Sequence, residues 1–198
     1  MLINGSRLLG TKILSLHVGS AIAHVTEVIV DPNSLKVIAF RVEGPLIRDE
    51  DGDILPVASV REFSRLGMII DSIDDLTDGE EVIQIRDVLK LGFSLPGLKV
   101  VTKKNTKVGK VTNYIVDVNS WEVYQLVVQR PIIKAFLDPE LIISRSKIIE
   151  VDDCQVVIKD ETEKTKSKSL AETPADFVPN FINPFREPDF AADAEAGN

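Results

Sequence analysis

Two histidines, one cysteine and a few clustered charges are the groups this chain offers for catalysis or metal binding. His17 and His24 stand seven residues apart in a strand–turn–strand stretch. No second His or Cys lies near them at metal-ligand spacing, so they read as surface or turn histidines. Cys154, in Asp152-Asp-Cys-Gln155, has no His that the sequence places beside it and reads as a structural thiol. The acidic run Asp49-Glu-Asp-Gly-Asp53 invites a calcium assignment, but a calcium loop between two helices needs Gly at its sixth position and a bidentate Glu at its twelfth. Here Gly52 is fourth and Val60 is twelfth, so the run reads as a solvated hairpin tip. There is no phosphate-cradling Gly loop and no Gly-flanked nucleophilic Ser. The expectation is a protein that is not an enzyme, with no catalytic residue, no cofactor and no metal.

Residues suited to binding are more numerous. Lys103-Lys-Asn-Thr-Lys-Val-Gly-Lys110 places Lys103, Lys104, Lys107 and Lys110 around one turn, where they serve either as a patch for RNA or lipid phosphates or as a solvated loop. Trp121 and Tyr124 are large aromatics beside a second turn. Trp121 is either a partner anchor or a lid on the end of a β structure. Near the C-terminus, Phe177, Phe181, Phe185 and Phe190 recur every four or five residues among prolines and acids. A solvated linker has no need of four phenylalanines, and the prolines oppose a continuous helix, so docking of short aromatic motifs onto a partner or onto this chain is expected.

The elements that carry these residues are built from a repeat. Val25–Arg48 lies without a gap on Val111–Lys134 at a constant offset of 86, with 11 of 24 pairs identical. Unrelated segments would share about two. Each copy reads as a short strand, a Gly-containing turn, a strand rich in β-branched residues, a polar turn and a further strand. The turns are Asp31-Pro-Asn-Ser34 and Asp117-Val-Asn-Ser120. Asp can accept backbone N–H groups two residues on, and Asn tolerates a positive φ. After each turn, Ile38, Phe40 and Val42, matched by Tyr124, Leu126 and Val128, alternate with mixed partners and are expected to face inward. Shorter strands follow at Ile54–Val57 and Met68–Ile70, and at Leu141–Ser144 and Val156–Ile158. Strands this short close most cheaply into a small barrel, which removes exposed edges.

Between the copies, residues 78–92 read as a helix, with Asp78 and Glu81 as a capping box, Val82, Ile85 and Leu89 on one face and Gly92 as the stop. A strand over Val82–Ile85 is the alternative. The predicted organisation is thus a first domain over 1–77, a linking helix over 78–92, a second domain over 93–159 and an acidic, Pro- and Phe-containing tail over 160–198, expected to be mobile.

Composition limits the partners. The formal charge is −8, of which the residues from Asp160 onward carry −5, leaving the paired domains close to balance and without a basic stripe. No apolar run reaches the roughly 20 residues of a membrane span. Met1-Leu-Ile-Asn-Gly-Ser-Arg7 lacks the pattern of a secretory signal, and a single Cys suits a reducing compartment, so a cytoplasmic location is expected.

Taken together, the opening Gly10, the Gly109-Lys-Val-Thr-Asn-Tyr-Ile-Val-Asp117 run with Ala23 in place of its Gly in the first copy, the Val-rich strand after each turn and Leu55-Pro-Val57 resemble the PRC-barrel family. This small β-barrel was first described in the H subunit of photosynthetic reaction centres and is also found in ribosome-maturation factors. The resemblance covers about 150 residues in two copies and implies a mainly β chain of two tandem small PRC-type barrels. It lacks the transmembrane helix of the reaction-centre subunit, and both halves are of one kind, unlike the maturation factors. The family is typically an interaction platform, which implies a non-enzymatic adaptor for a protein partner. The alternative is a factor in RNA metabolism or ribosome assembly. A peripheral membrane contact and a homodimer are left open.

Overall fold

The two Asp-x-Asn-Ser turns close as their side chains demand. In the computed structural model, which describes residues 1–48, 51–131 and 139–160, Asp31 Oδ1 accepts the Asn33 N–H at 3.0 Å and Asp117 Oδ1 accepts that of Asn119 at 3.2 Å. The N–H groups of Leu35 and Trp121 then donate to the carbonyls of Asp31 and Asp117, at 2.8 and 2.6 Å. Each turn ends in the left-handed region, with φ 51° at Leu35 and 57° at Trp121. The positive φ predicted for Asn33 and Asn119 therefore falls two residues later. For bulky side chains this costs about 1–3 kcal/mol apiece, and it is held because the two carbonyls are aimed at hydrogen-bond donors in the opposite half.

These turns join β3 (Ser20–Asp31) to β4 (Lys36–Glu43) and β9 (Lys107–Asp117) to β10 (Glu122–Gln129), both pairs antiparallel. In the first half β2 (Lys12–Ser15) runs antiparallel to β3 and parallel to β7 (Met68–Ile70). There, β6 (Glu62–Phe63) flanks β7 and β5 (Ile54–Pro56) flanks β4. In the second half β8 (Lys99–Thr102) runs antiparallel to β9 and parallel to β13 (Gln155–Ile158), with β12 (Ile148–Val151) on β13 and β11 (Glu140–Ser144) on β10. Each pairing of the first half thus has its counterpart in the second. The halves meet where β4 touches β10 and where β1 (Leu2–Asn4) adds to the edge of β9, giving one 13-stranded sheet curled into a half-barrel.

Irregularities repeat as faithfully as the strands. Thr26 and Thr112 occupy equivalent bulges, and each hydroxyl donates to a carbonyl of the neighbouring strand, Arg41 and Val127, at 3.2 Å. A second pair of register shifts passes over Ile38 and Tyr124. An extra residue in one strand reverses the alternation beyond it. The inward residues are therefore Val37, Phe40 and Val42, and Val123, Leu126 and Val128. Ile38 and Tyr124, expected to point inward with them, lie on the outer face.

Close approach of the strands explains the missing glycine of the first copy. A Cβ on Gly109 would lie 2.2 Å from the Gln129 carbonyl oxygen, so that crossing admits only glycine. At the equivalent Ala23 the glycine sits on the partner strand: a Cβ on Gly44 would lie 2.5 Å from the Ala23 Cα.

The main core runs through both halves, from Leu8, Ile13 and Phe40 to Leu126, Ile143 and Ile158, and Met1–Asp160 is one compact unit. The predicted helix occupies Ile83–Leu91 as α1, five residues shorter at its start than expected. Val82 takes extended backbone there, while Asp78 and Glu81 stay in the preceding turn, where Thr77 Oγ1 donates to Glu81 at 2.6 Å. Gly92 ends the helix in the left-handed region as expected. No helix among the described residues is long and apolar enough to cross a membrane.

Candidate interaction surface

Trp121 is built into the junction of the halves. Its ring stands edge-on to Phe40 at 5.4 Å and to Phe63 at 6.0 Å, both in the first half. Its carbonyl accepts the Val37 N–H at 2.8 Å, and the Leu35 carbonyl accepts the Val123 N–H at the same distance. Arg145, which follows β11, donates to the carbonyls of Ser34 and Leu35 and pins the first turn from the second half. Trp121 is half-buried there, packed against the main core.

Tyr124 is placed differently. The outer face of the sheet carries two equivalent apolar sets, one per half, and they are treated differently by the rest of the chain. In the first half, Ile29, Ala39 and Ile54 are buried beneath Ile85 and Val88 of α1, with Ile38 and Leu89 packed at the margin. Carrying the repeat and the strand register across, Ile29 becomes Ile115, Ile38 becomes Tyr124, Ala39 becomes Gln125, Arg41 becomes Val127 and Ile54 becomes Ile142. Tyr124 is 51% exposed and Ile142 57% exposed, with Ile115 and Val127 half-buried. Among the described residues no helix corresponds to α1 on this face. Sequence reasoning singled out Tyr124 but missed Ile142 and Ile115. Ile142 lies outside the aligned block, and only the β10–β11 register equates it with Ile54.

The lysines lie where expected, on the β8–β9 hairpin, and Lys103, Lys104, Lys107 and Lys110 are all exposed. Lys99 adds a fifth, directly opposite Lys110 in the strand register. On the other side of Lys99 is the β12–β13 turn, where Asp152 accepts the N–H groups of Cys154 and Gln155 at 2.8 and 2.7 Å. The Asp153 carboxylate pushes the exposed Cys154 thiol up, away from the thiolate that nucleophiles and metal ligands require. Asp152, Asp153 and Cys154 lie close together, but the first serves as a turn cap.

His17 and His24 are exposed on the β2–β3 hairpin. Of the acidic run, Asp49 and Glu50 lie outside the described residues, whereas Asp51 pairs with Arg48 and Asp53 with Arg41. An open groove of about 1,120 Å³ runs between Met1–Asn4 and the Phe63–Gly67 hairpin, with Arg7, Lys12 and Arg65 along it and Leu66 at its lip. Phe177, Phe181, Phe185 and Phe190 lie outside the described residues, as does the tail beyond Asp160. No family model matches the chain, and no curated protein matches it.

Proposed function

We propose that this chain is a non-enzymatic binding protein, an adaptor formed by two PRC-type barrels joined where β4 meets β10. The reading rests on one observation above the others. A sheet face that the first half buries under its own helix is presented by the second half as Ile115, Tyr124, Val127 and Ile142. Contiguous exposed apolar side chains on an otherwise polar surface mark interaction sites. The repeated pairing pattern supports two copies of one barrel. The side chains with chemical potential, Cys154 and the histidines, are scattered on separate hairpins and do not converge.

A second reading, contact with RNA or a ribosomal protein, draws on the β8–β9 hairpin. Lys99 opposite Lys110 is a like-charge pair that costs stability unless an anion neutralises it. Affinity capture of the full chain from its native host, with and without nuclease, separates the two. The adaptor reading expects the captured proteins to persist after nuclease and to be lost with Tyr124→Ser. Loss of every partner on nuclease treatment, together with Lys103→Glu and Lys107→Glu abolishing capture, would replace it with the RNA reading.

A further inference from the structure

We propose that the outer face of the second half is a docking site for an amphipathic α-helix of a partner protein, presenting apolar residues at positions i, i+3 and i+4. The proposal rests on the binding reading above and adds the shape and chemistry of what is bound. The molecule itself shows what this surface accepts. On the equivalent face of the first half lies α1, an amphipathic helix whose Ile85, Val88 and Leu89, spaced i, i+3 and i+4, pack over Ile29, Ala39 and Ile54. Residues so spaced share one face of a helix.

The second half keeps the parts that make such a cradle. The bulge that throws Ile38 onto the outer face throws Tyr124 there, and Ile115 and Ile142 hold the places of Ile29 and Ile54. Two differences tell what the partner helix must tolerate. Gln125 in place of Ala39 puts a longer side chain at the centre of the cradle, so the helix crosses higher over it. Val127 in place of Arg41 widens the apolar area, because Arg41 in the first half is held by Glu27 and Asp53 at the surface.

The rim carries both signs of charge. Asn113 and Gln129 flank the patch on β9 and β10, and Gln129 has Glu140 opposite it on β11 and Lys110 opposite it on β9. Such a mixed rim suits an amphipathic helix whose margins carry charges of both signs, as those of α1 do. The tip of the lysine hairpin, Lys103 to Lys107, lies beyond this rim.

The probe is a synthetic peptide of residues 76–92, the chain's own helix, with Ile83→Lys lactam-bridged to Asp87 because short isolated helices are marginal in water. Both positions are exposed in α1. It is titrated into the full-length protein carrying labelled Ile and Val methyl groups. Expected are saturable shifts of the Ile115, Val127 and Ile142 methyls with a dissociation constant between about 10 μM and 1 mM. They should disappear with Val88→Asp in the peptide, with Ile142→Asp in the protein and with the milder Tyr124→Ser, each variant first shown to keep its methyl dispersion.

Three results overturn the proposal. The first is no saturable shift at these methyls up to about 2 mM peptide, an affinity too weak for a specific site. The second is shifts confined to Ile29 and Ile54, which would mean that the peptide merely exchanges with α1. The third is concentration-dependent shifts of the same methyls without peptide, or contacts to them from residues 161–198, which would name a second copy or the chain itself as the occupant. Failure here with capture intact would leave an adaptor that reads something other than a helix.

Discussion

Lys36 and Glu122 face each other at the junction of the two halves, 3.0 Å apart, and they are the same position of the repeat, 86 residues from one another. They mark the register at which β4 meets β10. On either side the bonds are reciprocal, Val37 N–H to the Trp121 carbonyl and Val123 N–H to that of Leu35, both at 2.8 Å. Residue i of one copy contacts residue j of the other and j contacts i, as in a two-fold dimer interface. The chain is built like a homodimer whose subunits have been joined, and the main core crosses the junction. The Val37 and Val123 amides should therefore exchange with solvent only through the same global opening. Hydrogen exchange should give them equal protection, and unequal values by more than about 1 kcal/mol would mean that the halves open separately.

Glu122 allows a test of the pair by pH. The Lys36 ammonium holds its carboxyl below the usual range. A carboxyl with a lower folded than unfolded pKa stabilises above the unfolded value, about 4.3, and loses that contribution as pH falls through the folded one. Glu122→Gln should lower the melting temperature slightly at pH 6 to 7, and the difference from wild type should vanish as the medium is acidified through the carboxylate range. A difference that stays constant down to the most acidic point would show that the effect is steric.

Core substitutions should be severe where the bulges place side chains inward. Phe40 and Leu126 are fully buried on central strands. Changing either to Ala should cost about 2–5 kcal/mol in urea unfolding, with a single transition in both cases. Near-neutral effects at both would reverse the assignment of faces.

The outer faces should respond unequally although their residues are equivalent. Ile54→Ala, under α1, should cost about 2–4 kcal/mol, whereas Ile142→Ala should stay within about 0.5 kcal/mol. Equal losses would show that Ile142 is covered in solution.

Gly5, in the turn after β1, lies against the Tyr114 ring of β9. A Cβ on Gly5 would lie 2.4 Å from the Tyr114 ring, so Gly5→Ala should destabilise by about 1–3 kcal/mol. Burial pushes the Tyr114 phenol up to about 12. A group whose folded pKa is raised stabilises fully below its unfolded value, about 10, and the stability drains away as pH rises from there through about 12. Tyr114→Phe should remove this alkaline loss, and an absorbance titration at 295 nm that shows no delayed phenol would refute it.

The sequence by itself determined the duplication, the polar turns, the β-rich composition, the short helix and its Gly92 stop. Each of these is written in residue types that act on their immediate neighbours: Asp carboxylates capping N–H groups two residues away, β-branched runs, a glycine able to take the left-handed region. What it could not determine is which side of a strand a residue faces once a bulge intervenes. Ile38 and Tyr124 follow a clean alternation and still point outward, because the extra residue becomes visible only when the partner strand is counted. Nor could it tell that Leu35 and Trp121 rather than the asparagines carry the positive φ. That strain is sustained by donors 84 to 110 residues away, Val37 and Val123 across the junction and Arg145 beyond it. The unequal fate of Ile54 and Ile142 is likewise tertiary. The two isoleucines are alike in type and in strand, and only the packing of α1 over one of them separates a buried core from an open binding face.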